Sequence, residues 1–511
     1  MHGRHPHQLS VTLRSSFSFA RCARSRSATL FACALLAACS GARDDEYPLP
    51  ASTDVFVPSA WPTQAGAAAP VKSIAALQAA IDAASPGQTV VLADGTYLNT
   101  TLLLRTNGVT VQAQTPGGVH LNGTQQVVIS GSANVLRGFQ FTSGDVGEGT
   151  VIEVTGSNNT LSQLNFSGYR ARRYVQFDAG THHNELSYSS ISRKWATPTG
   201  PAIQINTSPS VASYHRIRYC AFRLFPGPGG DHGNEPIRIG LGDERANASR
   251  TLVEHCYFSA VGTGDSESIS VKSSENICRY NTFTSNPGGM LVLRAGNRNT
   301  AYGNFFVAGS GGVRCKEGNS HNVVNNYFET GSAEAFRIEY VASDPANDVR
   351  VVHNTFANMG AIDLGGPGPT GLVFANNLFD KAGSAIFSND NGKTSFVGNL
   401  YRGSLGLAAT AGLTAADPKL ARNEDGYLAP GPNSPAVDVA GAQLPTLWSI
   451  EGIDSDPTVK KDIAGQPRPF ILLQRDVGCS ERQAMPSANR LRPLKLSQVG
   501  PVYLGGPAVA L

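Results

Sequence analysis

The sequence predicts an all-β molecule, a right-handed parallel β-helix with a short N-terminal capping helix. Three observations predict it. A short phrase recurs at steps of about one coil; short β-type runs alternate with Gly, Asn and Ser turns; and past residue 70 only one stretch has helical period.

The phrase is Asn, any residue, then an aromatic. It ends on Phe283, Phe306, Phe328, Phe356, Phe379 and Tyr401, at successive steps of 23, 22, 28, 23 and 22 residues. Upstream, Phe141, Phe166 and Ile191 keep steps of 25, and Phe222 and Phe258 follow at 31 and 36. One repeat of this length, with three short strands, makes one coil of a solenoid of the pectate-lyase type. Coils stack about 4.8 Å apart, so equivalent residues fall into ladders. Aromatic rungs fill the interior, and Asn rungs at the turns satisfy backbone groups of neighbouring coils. Cys220 and Cys256 stand in the Asn slot, two residues before Phe222 and Phe258, and read as buried rungs. The two long steps imply inserted loops between Trp195 and Ser266, and insertions on a solenoid tend to gather on the binding face.

A solenoid's end coils expose core and strand edges and must be covered. Ser73 to Ala84 supplies a helix: Ser73 suits the N-cap, and Ile74, Leu77 and Ile81 share a face. Pro86-Gly87 stops it, and Thr89 to Leu92 begins the first coil. The β-helix is expected over 71–440. Residues 441–511, less regular and richer in proline, are expected to cap the far end.

Residues 1–38 read as an export signal. They hold five arginines, no acidic residue and an apolar run, Leu30 to Ala38, too short to span a bilayer. The run ends in Leu36-Ala37-Ala38-Cys39, similar to a bacterial lipobox, which implies cleavage before Cys39, acylation of its thiol and sorting to an outer membrane. Residues 39–70 would then be a polar tether. Of 41 basic residues, 36 remain after cleavage, against 38 acidic ones. A net of −2 argues against a nucleic-acid binder and makes any attraction for an anionic ligand local. The cysteines show no C-x-x-C pair and do not suggest zinc.

The chemistry-bearing residues gather beside the inserted loops. Asp265 and Glu267, two apart on a strand, share a side and are expected to face outward, because burying two carboxylates is costly. Paired hard oxygens suit Ca²⁺, with the amide oxygen of Asn234 as a third donor. Lys272 follows in the same coil. Arg294 lies 22 residues further on, one repeat, so it is expected one coil over. Amine, guanidinium and cation on one patch suit β-elimination of a 4-linked uronate. The C5 proton is very weakly acidic while the carboxylate is charged, and a cation that neutralises the carboxylate stabilises the enolate-like intermediate. Lysine serves as the base if neighbouring positive charge lowers its pKa, and arginine stabilises charge on the carboxylate or the departing oxygen. Arg238 and Arg314 are candidates for holding uronates in neighbouring subsites.

The segment from Tyr214 to Glu329 resembles polysaccharide lyase family 6, which includes alginate lyases and chondroitinase B. The phrases that carry the likeness are NEPIRIG (234–240), DSESISVKS (265–273), RYNTF (279–283), LRAGN (293–297), GGVR (311–314) and NNYF (325–328). The resemblance implies Lys272 as Brønsted base, Arg294 as acid, Asn234, Asp265 and Glu267 as calcium ligands, and an acidic polysaccharide, alginate before dermatan sulfate, as substrate. Two positions depart from the family pattern: Asp265 stands where a Glu is usual, and Ala295 where a His is usual. The expectation is a monomer that meets a membrane only through its lipid anchor. Two other readings remain open: a different enzyme on the same scaffold, such as a chondroitin or pectate lyase or a C5-epimerase, and a non-catalytic polysaccharide-binding surface protein.

Overall fold

The computed structural model describes residues 69–507 except 228, 442–443, 449–458 and 483–489. The expected signal, Cys39 and nearly all of the tether lie outside the described residues. The chain opens with a helix, α1 (Ile74–Ala83), whose N-cap Ser73 accepts a hydrogen bond from the Ala76 N–H. Leu77 and Ile81 are buried against the first coil. From Thr89–Leu92 onward the chain winds as a parallel β-solenoid of about 13 turns, with one sheet of 13 strands and a second, doubled sheet of 24. Among the described residues no helix is long and apolar enough to cross a membrane.

The ladders set the coil-to-coil register. The rings of Phe222, Phe258, Phe283, Phe306, Phe328 and Phe356 stack face to face, with centroids 4.5 to 4.9 Å apart. At the neighbouring turn the Asn304 N–H donates to Asn326 Oδ1 (2.9 Å), and that of Asn326 to Asn354 Oδ1 (2.8 Å). Each amide Nδ2 donates in turn to a backbone carbonyl, that of Asn326 to Ala301. Cys220 and Cys256 are fully buried free thiols in this row. A second ladder, Asn134–Asn159–Asn184 and then Asn276–Asn299, runs along another turn and was not anticipated.

The described part of residues 441–511 does not simply cover the last coil. It runs back along the side of the solenoid. Lys461 O meets Asn325, the Leu494 N–H meets Thr282, and the Val502 N–H meets Gln163 near the first coils. The physical reason is apolar side chains on the outside of the coils. Tyr302, Val324 and Val352 are covered by Val459, Phe305 and Tyr327 by Ile463 and Cys479, and Ala221 and Tyr257 by Val499. A cap at the end alone would leave these rows in water.

Candidate active site

The site lies on the outer face of the doubled sheet, where Ile237–Ile239, Glu267–Val271, Met290–Leu293 and Val313–Cys315 pair in parallel. Ile239, Val271, Leu293 and Cys315 are successive inward rungs. Their followers, Gly240, Lys272, Arg294 and Lys316, therefore project outward on successive coils. Backbone bonds fix this order: the N–H of Arg294 donates to Val271 O and that of Lys316 to Leu293 O. A second outward column holds Arg238, Ser270, Val292 and Arg314 in register. The structure thus brings Lys272, Arg294, Arg238 and Arg314 onto one face, with adjacent rungs about 4.8 Å apart.

The acids are placed differently from expectation. Asp265 and Glu267 are buried, 1 % and 3 % exposed. The cost that argued for exposure applies to isolated charges, and neither is isolated. Asp265 Oδ2 accepts from the N–H groups of His232 (3.2 Å) and Asn234 (2.9 Å), and Oδ1 from that of Glu267 (2.9 Å). Glu267 Oε1 accepts from Arg294 Nη1 (3.0 Å) and Arg314 Nη2 (2.7 Å). A register irregularity between Glu267 and Ile269 lets this strand keep Ile269 and Val271 inside while Glu267 reaches the outer arginines.

Asn234 is fully buried, and its Oδ1 accepts from Lys194 Nζ at 2.7 Å. Lys194 is itself 0 % exposed and also donates to Pro198 O (3.3 Å). Burial pushes its pKa down to about 8, against the opposing pull of Glu235 and Glu148. Glu235 forks onto Arg238, Oε1 to Nε at 2.5 Å and Oε2 to Nη2 at 2.9 Å. Asp231 completes the cluster, accepting from Arg314 Nη2 and Lys316 Nζ, each at 3.1 Å, and from the Ser266 hydroxyl. Burial alone would raise its carboxyl, but Ser266, Arg314 and Lys316 outweigh that and hold it well below the usual carboxylate range. Lys316 also pairs with Glu339 at 2.9 Å.

Two shifts bear on chemistry. Lys272 is half-buried, and its pKa is lowered by burial and then by Arg238 and Arg294, with Glu235 and Glu267 opposing. Asp265 is pushed up to about 6 by burial and by Glu235, with its backbone N–H partners opposing. Ala295, where the resemblance expects His, is 5 % exposed and adopts φ +66°, so position 295 supplies no imidazole.

Residues 71–362 match the chondroitinase B family. The chain belongs to the chondroitinase B family. No curated protein matches it. Among solved structures, the family 6 alginate lyase AlyGC superposes with a TM-score of 0.66 at 22% identity, over 86% of this chain and 59% of its own. A mannuronic acid specific family 6 lyase from human gut microbiota gives 0.54 at 21% identity, over 67% of this chain and 89% of that one. A family 6 polysaccharide lyase from Pseudopedobacter saltans gives 0.54 at 23%, over 74% and 99%. At these identities the likeness is one of fold, and the chain spans only 59% of AlyGC.

Within this chondroitinase B family member, five site residues received no role from the sequence reading: Lys194, Asp231, Glu235, Lys316 and Glu339. Lys316 carried a signal, since it continues the 22-residue step from Lys272 through Arg294. Lys194 lies on an inserted loop far from any motif, and Asp231, although only three residues before Asn234, keeps no coil spacing to the other site residues; neither carried a signal.

The three expected calcium ligands already have partners. The Asn234 oxygen is held by an ammonium, Glu267 by two guanidiniums, and both Asp265 oxygens by backbone N–H groups. Among the described residues no three His, Cys, Asp or Glu side chains converge to hold a metal ion. As arranged, this donor set does not fit Ca²⁺.

Proposed function

We propose that this protein is a polysaccharide lyase that cleaves a 4-linked uronate polymer, alginate first, by β-elimination. One observation carries the reading: Lys272 and Arg294 occupy adjacent outward rungs, flanked by Arg238 and Arg314 on the same face. Lys272 removes the C5 proton; its lowered pKa favours the neutral amine such a base requires. Arg294, held by Glu267, faces the C4 oxygen: as the C5–H electrons form the C4–C5 double bond and the C4–O bond breaks, it stabilises the charge and, as the acid, gives the departing oxygen a proton that solvent restores. Arg238 and Arg314, anchored by Glu235 and by Glu267 with Asp231, take the carboxylates of neighbouring residues. Alginate is favoured because the superposed relatives include alginate lyases.

The test is an ultraviolet assay of purified protein on alginate, pectate and dermatan sulfate, reading the conjugated double bond that elimination creates. Absorbance is expected to rise fastest with alginate. A faster rise with dermatan sulfate or pectate would transfer the specificity. Cleavage without the chromophore would exclude the mechanism.

A further inference from the structure

The residues that would hold a divalent cation here already have partners within the chain, cationic ones for Asn234 and Glu267 and backbone N–H groups for Asp265. Lys194 is the unexpected one. It leaves the strand Ser190–Ser192 on an inserted loop, and its side chain ends inside the protein with no solvent exposure. An ammonium in that position must be paired. Its 2.7 Å bond is to the oxygen of Asn234, the amide expected to ligate calcium. Glu235, the next residue, favours the charged ammonium more than any other acid and at the same time forks onto Arg238.

The remaining donors are committed in the same way. Glu267 is shared by Arg294 and Arg314, at 3.0 and 2.7 Å. A calcium ion needs six to eight oxygens at about 2.4 Å and would have to displace an ammonium and two guanidiniums. Asp265 cannot turn toward it without abandoning three backbone N–H groups. One carboxylate at 265 with a methylene fewer than the usual Glu reaches these N–H groups at normal hydrogen-bond length, so the departure from the family pattern and the Lys194 contact describe one arrangement.

We propose that this site is built to work without a divalent metal, the Lys194 ammonium standing at Asn234 in the metal's place and supplying fixed positive charge beneath the catalytic face. Ion pairs tie the four acids Asp231, Glu235, Glu267 and Glu339 to the four cations Arg238, Arg294, Arg314 and Lys316, and Lys194 adds the cation a metal would otherwise bring. This inference takes its catalytic meaning from the lyase reading, but the metal question stands apart from it.

The experiment has arms that separate the two. Purified wild-type protein is dialysed against Ca²⁺, passed through a desalting column and measured for bound metal, and its thermal midpoint is compared in excess Ca²⁺ and in chelator. The expected result is well under one calcium per chain and the same midpoint in both. One retained calcium per chain, or a midpoint raised by Ca²⁺, would overturn the proposal whether or not any polymer is cleaved. In the activity arm, the rate on the preferred uronate polymer is expected to be unchanged by chelator; a loss of tenfold or more that Ca²⁺ restores would overturn it. Lys194→Gln keeps a donor for Asn234 and deletes the charge. It is expected to lower kcat at least tenfold with KM changed far less, and an unaltered kcat would refute the charge role of Lys194. If no polymer is cleaved under any condition the lyase reading fails, while the metal content still decides what occupies the site.

Discussion

Lys272 sits between opposing fields. Burial, Arg238 and Arg294 favour its neutral form, and Glu235 and Glu267 favour the charged one, with a net lowering from 10.5. As a base it acts only when neutral, so kcat is expected to rise with pH along a limb whose midpoint lies below 10.5. A midpoint at or above that value in a kcat–pH profile would contradict the assignment. Replacing Glu267 tests the acid side. Glu267→Gln strips the shared, most buried counter-charge from Arg294 and Arg314 and leaves them Asp231, and is expected to cost about 3 kcal/mol in urea unfolding. Which of these residues were legible depended on rhythm. Lys272 and Arg294 lie one repeat apart, and that spacing alone places them together. The burial of Asp265 and Glu267 could not be foreseen, because it depends on partners contributed by other coils and on N–H groups of an inserted loop.

At the scale of the element, the Asn ladder shows why the repeat is readable. Each Asn rung uses its amide twice, since one side chain both accepts the N–H of the coil before and donates to a carbonyl. Asn326→Ala leaves the buried Asn304 N–H and Ala301 O without those partners. It is expected to destabilise by roughly 2–3 kcal/mol, read as a shift in denaturant midpoint with unchanged slope. A change under about 0.5 kcal/mol would mean the ladder is ornamental. The rung at Cys256 was legible by position, because spacing to Phe258 survives the loss of the amide. The irregularity at Ser268 was not legible: strict alternation would align Glu267 with Ile269 and Val271, and only the register with the next coil reveals the offset.

At the scale of the whole molecule, the solenoid depends on its own tail. The return segment covers outward apolar residues over many coils, from Tyr302 and Val352 to Tyr257. A chain ending after Ala415, the last residue of the final parallel strand, is expected to lose solubility and bind an apolar dye, whereas simple loss of an end cap would fray only the last coils. Hydrogen exchange separates these outcomes by where protection disappears. The parallel coils were predictable because each repeats the last. The path of the tail was not, because it follows outward side chains that are conspicuous only once the coils are stacked. In the proposed elimination, stacking sets Lys272 beside Arg294, and mass spectrometry of alginate fragments from wild type and Lys272→Ala reads the outcome. Wild-type fragments are expected to carry a new C4–C5 double bond and no added water, and the variant to fold normally but to be slower by about 10² or more. Fragments that have gained water, or a variant as fast as wild type, would contradict that elimination.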